Sequence, residues 1–101
     1  MTTINKLLAL TILSLVALFS ASQTTHAQVN TNRMMQVGRN ALYFEDYVLS
    51  IQYFNRVIIV KPYLADPYYY RAIAKFYLDD LTGCEADCNV AIDINPFLIG
   101  A

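Results

Sequence analysis

The stretch YVLSIQYFNRVIIVKP, Tyr47–Pro62, decides how this chain folds. Its β-branched and aromatic content alone suggests a strand. Its length argues otherwise, and Val48, Ile51, Phe54, Val57 and Ile58 recur at helical spacing. A second apolar run, LTGCEADCNVAIDINP, Leu81–Pro96, also closes on a proline, and Pro62 and Pro96 lie 34 residues apart. Proline just past an apolar periodic run is a helix stop signal. Both runs are therefore expected to be helices.

Sliding residues 31–64 onto 65–98 gives six identities: Tyr43/Tyr77, Asp46/Asp80, Asn55/Asn89, Ile58/Ile92, Pro62/Pro96 and Leu64/Leu98. Gly38/Ala72, Val57/Ala91 and Tyr63/Phe97 are conservative matches. The matches fall where helices pack or end, and a period of about 34 residues belongs to a helix–turn–helix repeat. The expected fold is all-α, with repeats at 31–64 and 65–98, each a helix pair. The first pair is expected at about 31–44 and 46–60. In the second, Asp66 suits an N-cap and Pro67 the first helical position, with that helix ending near Leu78. For the last helix, ending near Asn95, Thr82 with Glu85 has capping-box spacing and Asp80 is an equally fair cap.

With this register the chain resembles the tetratricopeptide repeat family over residues 31–98. That family places a large aromatic early in the first helix of each repeat, where Met34 and Tyr68 stand. Its small first-helix slot holds Gly38 and Ala72, and its small second-helix slot holds Ser50 and Cys84. Phe54 and Cys88 occupy the second-helix aromatic slot, Val57 and Ala91 the following alanine slot, and Pro62 and Pro96 the closing proline. Arg71 departs from the usual leucine, for which Val37 stands in the first repeat. Ala41 and Lys75 depart from the usual tyrosine. The physical logic holds without the name. Small residues let paired helices approach, larger ones fill the space to the next repeat, and one repeat alone cannot bury its apolar face.

The N-terminus has a different character. Lys6 precedes an apolar run of fifteen residues, Leu7 to Ala21, and Thr25-His26-Ala27 ends in a small-x-small pattern. Residues 1–27 are read as a signal peptide cleaved near Ala27, before Gln28, and the protein as exported to a periplasm or secreted. The apolar run is shorter than the roughly 20 residues that span a bilayer. A retained signal would instead make a membrane-tethered envelope assembly module; no membrane contact beyond the signal segment is otherwise expected.

Residues 28–101 carry six Lys/Arg against eight Asp/Glu, interspersed, with no basic stripe for nucleic acid. His26, the sole histidine, lies within the signal, so no histidine-dependent catalytic set is available to residues 28–101. No glycine-rich phosphate loop exists. Glu45-Asp46 and Asp79-Asp80 are read as caps and dipole partners of the following helices rather than catalytic carboxylate pairs. Cys84 and Cys88, four apart on one helix, make an incomplete zinc set and a strained disulfide, and are read as small buried hydrophobes. No catalytic residue, metal or cofactor is expected.

In the family that the chain resembles, first-helix faces line a concave groove. The resemblance places Met35, Arg39, Leu42 and Tyr43, then Tyr69, Ile73, Phe76 and Tyr77, on that groove, with Asn32 and Asp66 at its start. The set is largely apolar and aromatic, which suits a peptide or helix partner. Met35 and Arg39 replace the residues of the family's carboxylate clamp, so that specificity is not implied. Tyr68 is expected in the core, Tyr69 on the groove, and Tyr70 on the flank toward the first repeat. PFLIGA, 96–101, aligns with PYLADP, 62–67, as if opening a third repeat at 99–101. That leaves the face with Cys84, Cys88 and Ala91 under-covered, so marginal stability or self-association is expected. The resulting expectation is an exported scaffold binding a protein or peptide, or the N-terminal piece of a larger exported repeat protein.

Overall fold

A computed structural model describes residues 5, 6, 8, 11 and 30–98. The chain divides into two units, Met1–Asn30 and Thr31–Ala101. In the first, positions 5, 6, 8 and 11 are helical, and the Thr11 hydroxyl donates to the Leu8 carbonyl at 2.8 Å. The cleavage region of the expected signal and the expected third-repeat opening at 99–101 lie outside the described residues. Among the described residues no helix is long and apolar enough to cross a membrane.

The fold is all-α. Helix α1 covers 30–43, α2 Tyr47–Val60, α3 Ala65–Tyr77 and α4 Leu81–Ile94. The stretch beginning at Tyr47 is therefore helix as far as Val60. The short connections leave α3 packed between α2 and α4.

The helix ends repeat their hydrogen bonds 34 residues on. After α1, the Asp46 amide donates to the Ala41 carbonyl at 2.8 Å and the Glu45 amide to Leu42 at 3.1 Å. After α3, the Asp80 amide donates to Lys75 at 2.9 Å and the Asp79 amide to Phe76 at 3.1 Å. Both are Schellman closures, which need a left-handed residue just past the helix. That residue is Glu45 at φ 64° and Asp79 at φ 62°. Glycine would adopt this conformation without the steric penalty of a side chain. Asp79→Gly is thus expected to stabilise the fold by about 0.5–1 kcal/mol, read as a higher denaturant midpoint at unchanged slope.

Each acid pair also starts the next helix. Asp46 accepts from the Leu49 amide at 3.2 Å, and Asp80 from the Gly83 amide at 3.0 Å. Of the two caps open for α4, the chain uses Asp80. Helix α3 differs from expectation. It begins at Ala65, its N-cap is Leu64 in an extended conformation, and Asp66 lies in the first turn instead of capping it. The reason is that Pro67 lacks only an amide that a first turn does not use, so the helix extends upstream of it. Pro67 is itself fully buried.

The core forms around Phe54, which is fully buried. A Cβ placed on Gly38 would lie 2.7 Å from the Phe54 ring, so only glycine lets α1 come this close. On its other side the ring stacks on Tyr70 of α3, with centroids 5.8 Å apart and planes at 20°. This places Tyr70 against α2, on the side expected. Val57, Ser50, Ala72, Ala74 and Ala91 are buried with it.

Two expectations need correction. Tyr68 is half-buried rather than core, because its hydroxyl donates to the Pro62 carbonyl at 2.9 Å and holds the ring at the rim. Cys84 and Cys88 are free and half-buried, while Ala91 on the same helix is buried completely.

Candidate functional site

The eight groove candidates do not gather into one site. None is fully buried: Met35, Leu42, Tyr69 and Ile73 are half-buried, and Arg39, Tyr43, Phe76 and Tyr77 are exposed. Met35 and Arg39 line a cavity at one end of α1 and α3, and Tyr43, Phe76 and Tyr77 lie at the turn end.

At the first end is a cavity of about 460 Å³ lined by Asn32, Met35 and Arg39 of α1, Leu64 of the preceding loop, and Ala65 and Asp66 of α3. The Leu64 cap contributes no side-chain hydrogen bond to the opening amides of α3. Arg39 and Asp66 place opposite charges on its walls. Met35 and Leu64 supply an apolar floor. Such a lining suits a chain segment that offers both an apolar side chain and backbone hydrogen bonds.

At the second end the two acidic turns meet. Tyr47 stacks on Tyr77 with centroids 5.0 Å apart and planes at 8°. Phe76 meets Tyr77 edge-on at 5.6 Å, and Phe44 meets Tyr43 edge-on at 5.2 Å. Desolvation pushes the Tyr47 phenol above its ordinary pKa, and the charges of Glu45 and Tyr77 add to the shift. Tyr69 belongs to neither end; its ring meets Tyr70 edge-on at 5.5 Å.

The polar constellation that sequence reasoning missed lies on the opposite side of α3. Asp87 of α4 is buried, and Arg71 of α3 grips it twice, Nε to Oδ2 at 2.7 Å and Nη2 to Oδ1 at 2.6 Å. Lys75 Nζ adds a contact to Oδ2 at 3.0 Å. The remaining Arg71 nitrogen, Nη1, donates to Asn55 Oδ1 of α2 at 2.7 Å. One guanidinium thus ties α2, α3 and α4 together. Burial by itself raises the Asp87 pKa, but the hydrogen bonds and charges of Arg71 and Lys75 outweigh it and hold the carboxyl below its ordinary range. Arg71 and Lys75 thus both serve Asp87. The only sequence signal was their spacing of four, which puts them on one helix face.

The Cys88 thiol offers little reactivity. Burial raises the Cys88 pKa, with further contributions from the neighbouring Cys84 and from Asp87. A raised thiol is a poor nucleophile and a poor metal ligand at neutral pH. Among the described residues no three His, Cys, Asp or Glu side chains converge.

Comparison with family models, with curated proteins and with solved structures found no match for this chain.

Proposed function

We propose that the chain is an exported two-repeat helical scaffold of the tetratricopeptide kind, which binds a peptide or helix along the exposed faces of α1 and α3. It performs no reaction of its own. The observation that carries this reading is the cavity between α1 and the start of α3. Asn32, Met35, Arg39 and Asp66, which line it, all belong to the first-helix positions assigned to the groove from the sequence. Three further features support a repeat architecture: the matched closures at Glu45 and Asp79, the paired Asp caps, and the close approach of Gly38 to Phe54. Export rests on the N-terminal pattern of residues 1–27, and N-terminal sequencing of the secreted protein is expected to begin at Gln28.

The test is a peptide selected from a random library against the full chain. Met35→Glu combined with Arg39→Glu is expected to weaken its binding at least tenfold, about 1.4 kcal/mol, with an unchanged melting curve. Arg39 is exposed and Met35 half-buried, so the pair changes the cavity without emptying the core. Unchanged affinity in the double variant counts against the groove.

A further inference from the structure

The turn end of the α1/α3 layer combines two properties. The first is exposed apolar and aromatic surface: Tyr43 is 82% exposed, Phe44 77%, Leu81 61%, Tyr77 59% and Phe76 54%. Burying large rings is the usual gain of folding, and a concentration of uncovered ones marks an interaction surface. The Tyr47–Tyr77 stack joins the two turns into one patch. The second property is charge. Glu45, Asp46, Asp79 and Asp80 are all exposed in these same turns. No Lys or Arg lies between Arg39 and Arg56, and none follows Lys75, which is engaged with Asp87. The four carboxylates therefore have no local counter-charge in the sequence segments that carry them.

We propose that this patch docks a cationic amphipathic segment, a peptide or helix that carries Lys or Arg beside apolar side chains. The proposal rests on the scaffold reading above and names the chemistry of the partner at one end of its surface. Charge complementarity selects this occupant. The partner's apolar side chains cover Phe44, Phe76 and Leu81, and its cations meet the carboxylates. Arginine also gains from the open tyrosine faces. A second copy of the same patch would set four carboxylates against four. An anionic bilayer would be repelled by the same groups.

Two acids can be changed without touching a helix cap. Glu45 and Asp79 sit at the left-handed positions, whereas Asp46 and Asp80 hold the caps. Glu45→Gly with Asp79→Gly removes two charges and relieves the backbone, so weakened binding in that variant is not a consequence of unfolding. Glu45→Lys with Asp79→Lys reverses them.

The experiment measures fluorescence anisotropy of the full chain with two labelled helical peptides of one amphipathic pattern, Leu with Lys and Leu with Glu. Vesicles of phosphatidylcholine with phosphatidylglycerol form a third arm. The Lys peptide is expected to bind at least tenfold tighter than the Glu peptide. The glycine pair is expected to weaken it severalfold, the lysine pair at least tenfold, and added salt to weaken it further. Equal binding of both peptides, binding of neither, indifference to the lysine pair, or vesicle binding in place of peptide binding overturns the proposal. The scaffold reading is judged separately by the library-selected peptide with Met35→Glu and Arg39→Glu. If that peptide loses affinity while the Lys peptide fails, only the charge assignment falls. If neither probe responds, both fall.

Discussion

Phe54→Ala is expected to destabilise the fold by about 4 kcal/mol, the upper range for truncating a buried aromatic ring. The ring has no exposed surface and fills the space between Gly38 of α1 and Tyr70 of α3. Its removal opens a cavity that α1 cannot close by itself, since Gly38 contributes no side chain to follow the retreating ring. The stack on Tyr70 is lost as well, an additional part of the cost. For a domain of this size each kcal/mol moves the melting temperature by about 4–8 °C, so thermal unfolding should fall by more than about 15 °C. A calorimetric shift under about 5 °C would show that Phe54 is not the keystone. Phe54→Leu, which keeps most of the apolar volume, should recover over half of the loss.

The second large effect concerns Asp87. Asp87→Ala should cost about 3 kcal/mol, because it leaves Arg71 and Lys75 facing each other without the carboxylate that both serve. The cation side chains retain some exposure, 18% for Arg71 and 21% for Lys75, and can turn partly to water. This keeps the cost at the lower end for breaking a buried pair. Replacing Arg71, Lys75 and Asp87 together by Leu, Met and Leu should restore most of the stability, since apolar substitutes avoid the desolvation of the ions. The pH dependence has a definite sign. The folded pKa of Asp87 lies below its unfolded value, so its contribution is fully present above the unfolded value of about 4. It is lost as pH falls through the folded value, because the native state then takes up the proton. Denaturant midpoints measured between neutral pH and strongly acid conditions should decline below about pH 4, and Asp87→Asn should remove part of that decline. Equal acid slopes in the two proteins would assign the sensitivity elsewhere.

Much of the fold was legible from local chemistry. Pro62 and Pro96 ended two helices because a proline cannot continue one. Asp46 and Asp80 started the same two because a short carboxylate reaches an amide three residues on. Where the reading missed, the cause is also physical. The start of α3 was placed too late because proline was taken as the helix's first residue, although any first-turn position tolerates it. Tyr68 was expected in the core because it stands in the aromatic slot of the pattern that the sequence resembles. Its hydroxyl needed a partner, and the Pro62 carbonyl at the rim provided one.

The candidate site was less legible than the fold. The resemblance named eight first-helix residues but could not say that Met35 and Arg39 border a cavity while Tyr43, Phe76 and Tyr77 lie at the aromatic turn end. Helical spacing assigns a residue to a face, not to a height along the packed layer. The dual role of Glu45 and Asp79 was hidden for a similar reason. Acids beside a helix start are read as dipole partners, and a left-handed φ is visible only once the backbone has closed.

What this sequence determined by itself is the alternation of helix and turn. Apolar period, proline stops and aspartate caps act within a few residues, and they operate before any tertiary contact forms. What only the tertiary structure decided is which polar groups meet. Asn55 lies 16 residues before Arg71, and Asp87 lies 16 residues after it, each on a different helix. Their meeting depends on how the three helices rotate about their axes. For α2 and α3, Phe54 fitted between Gly38 and Tyr70 fixes part of that rotation.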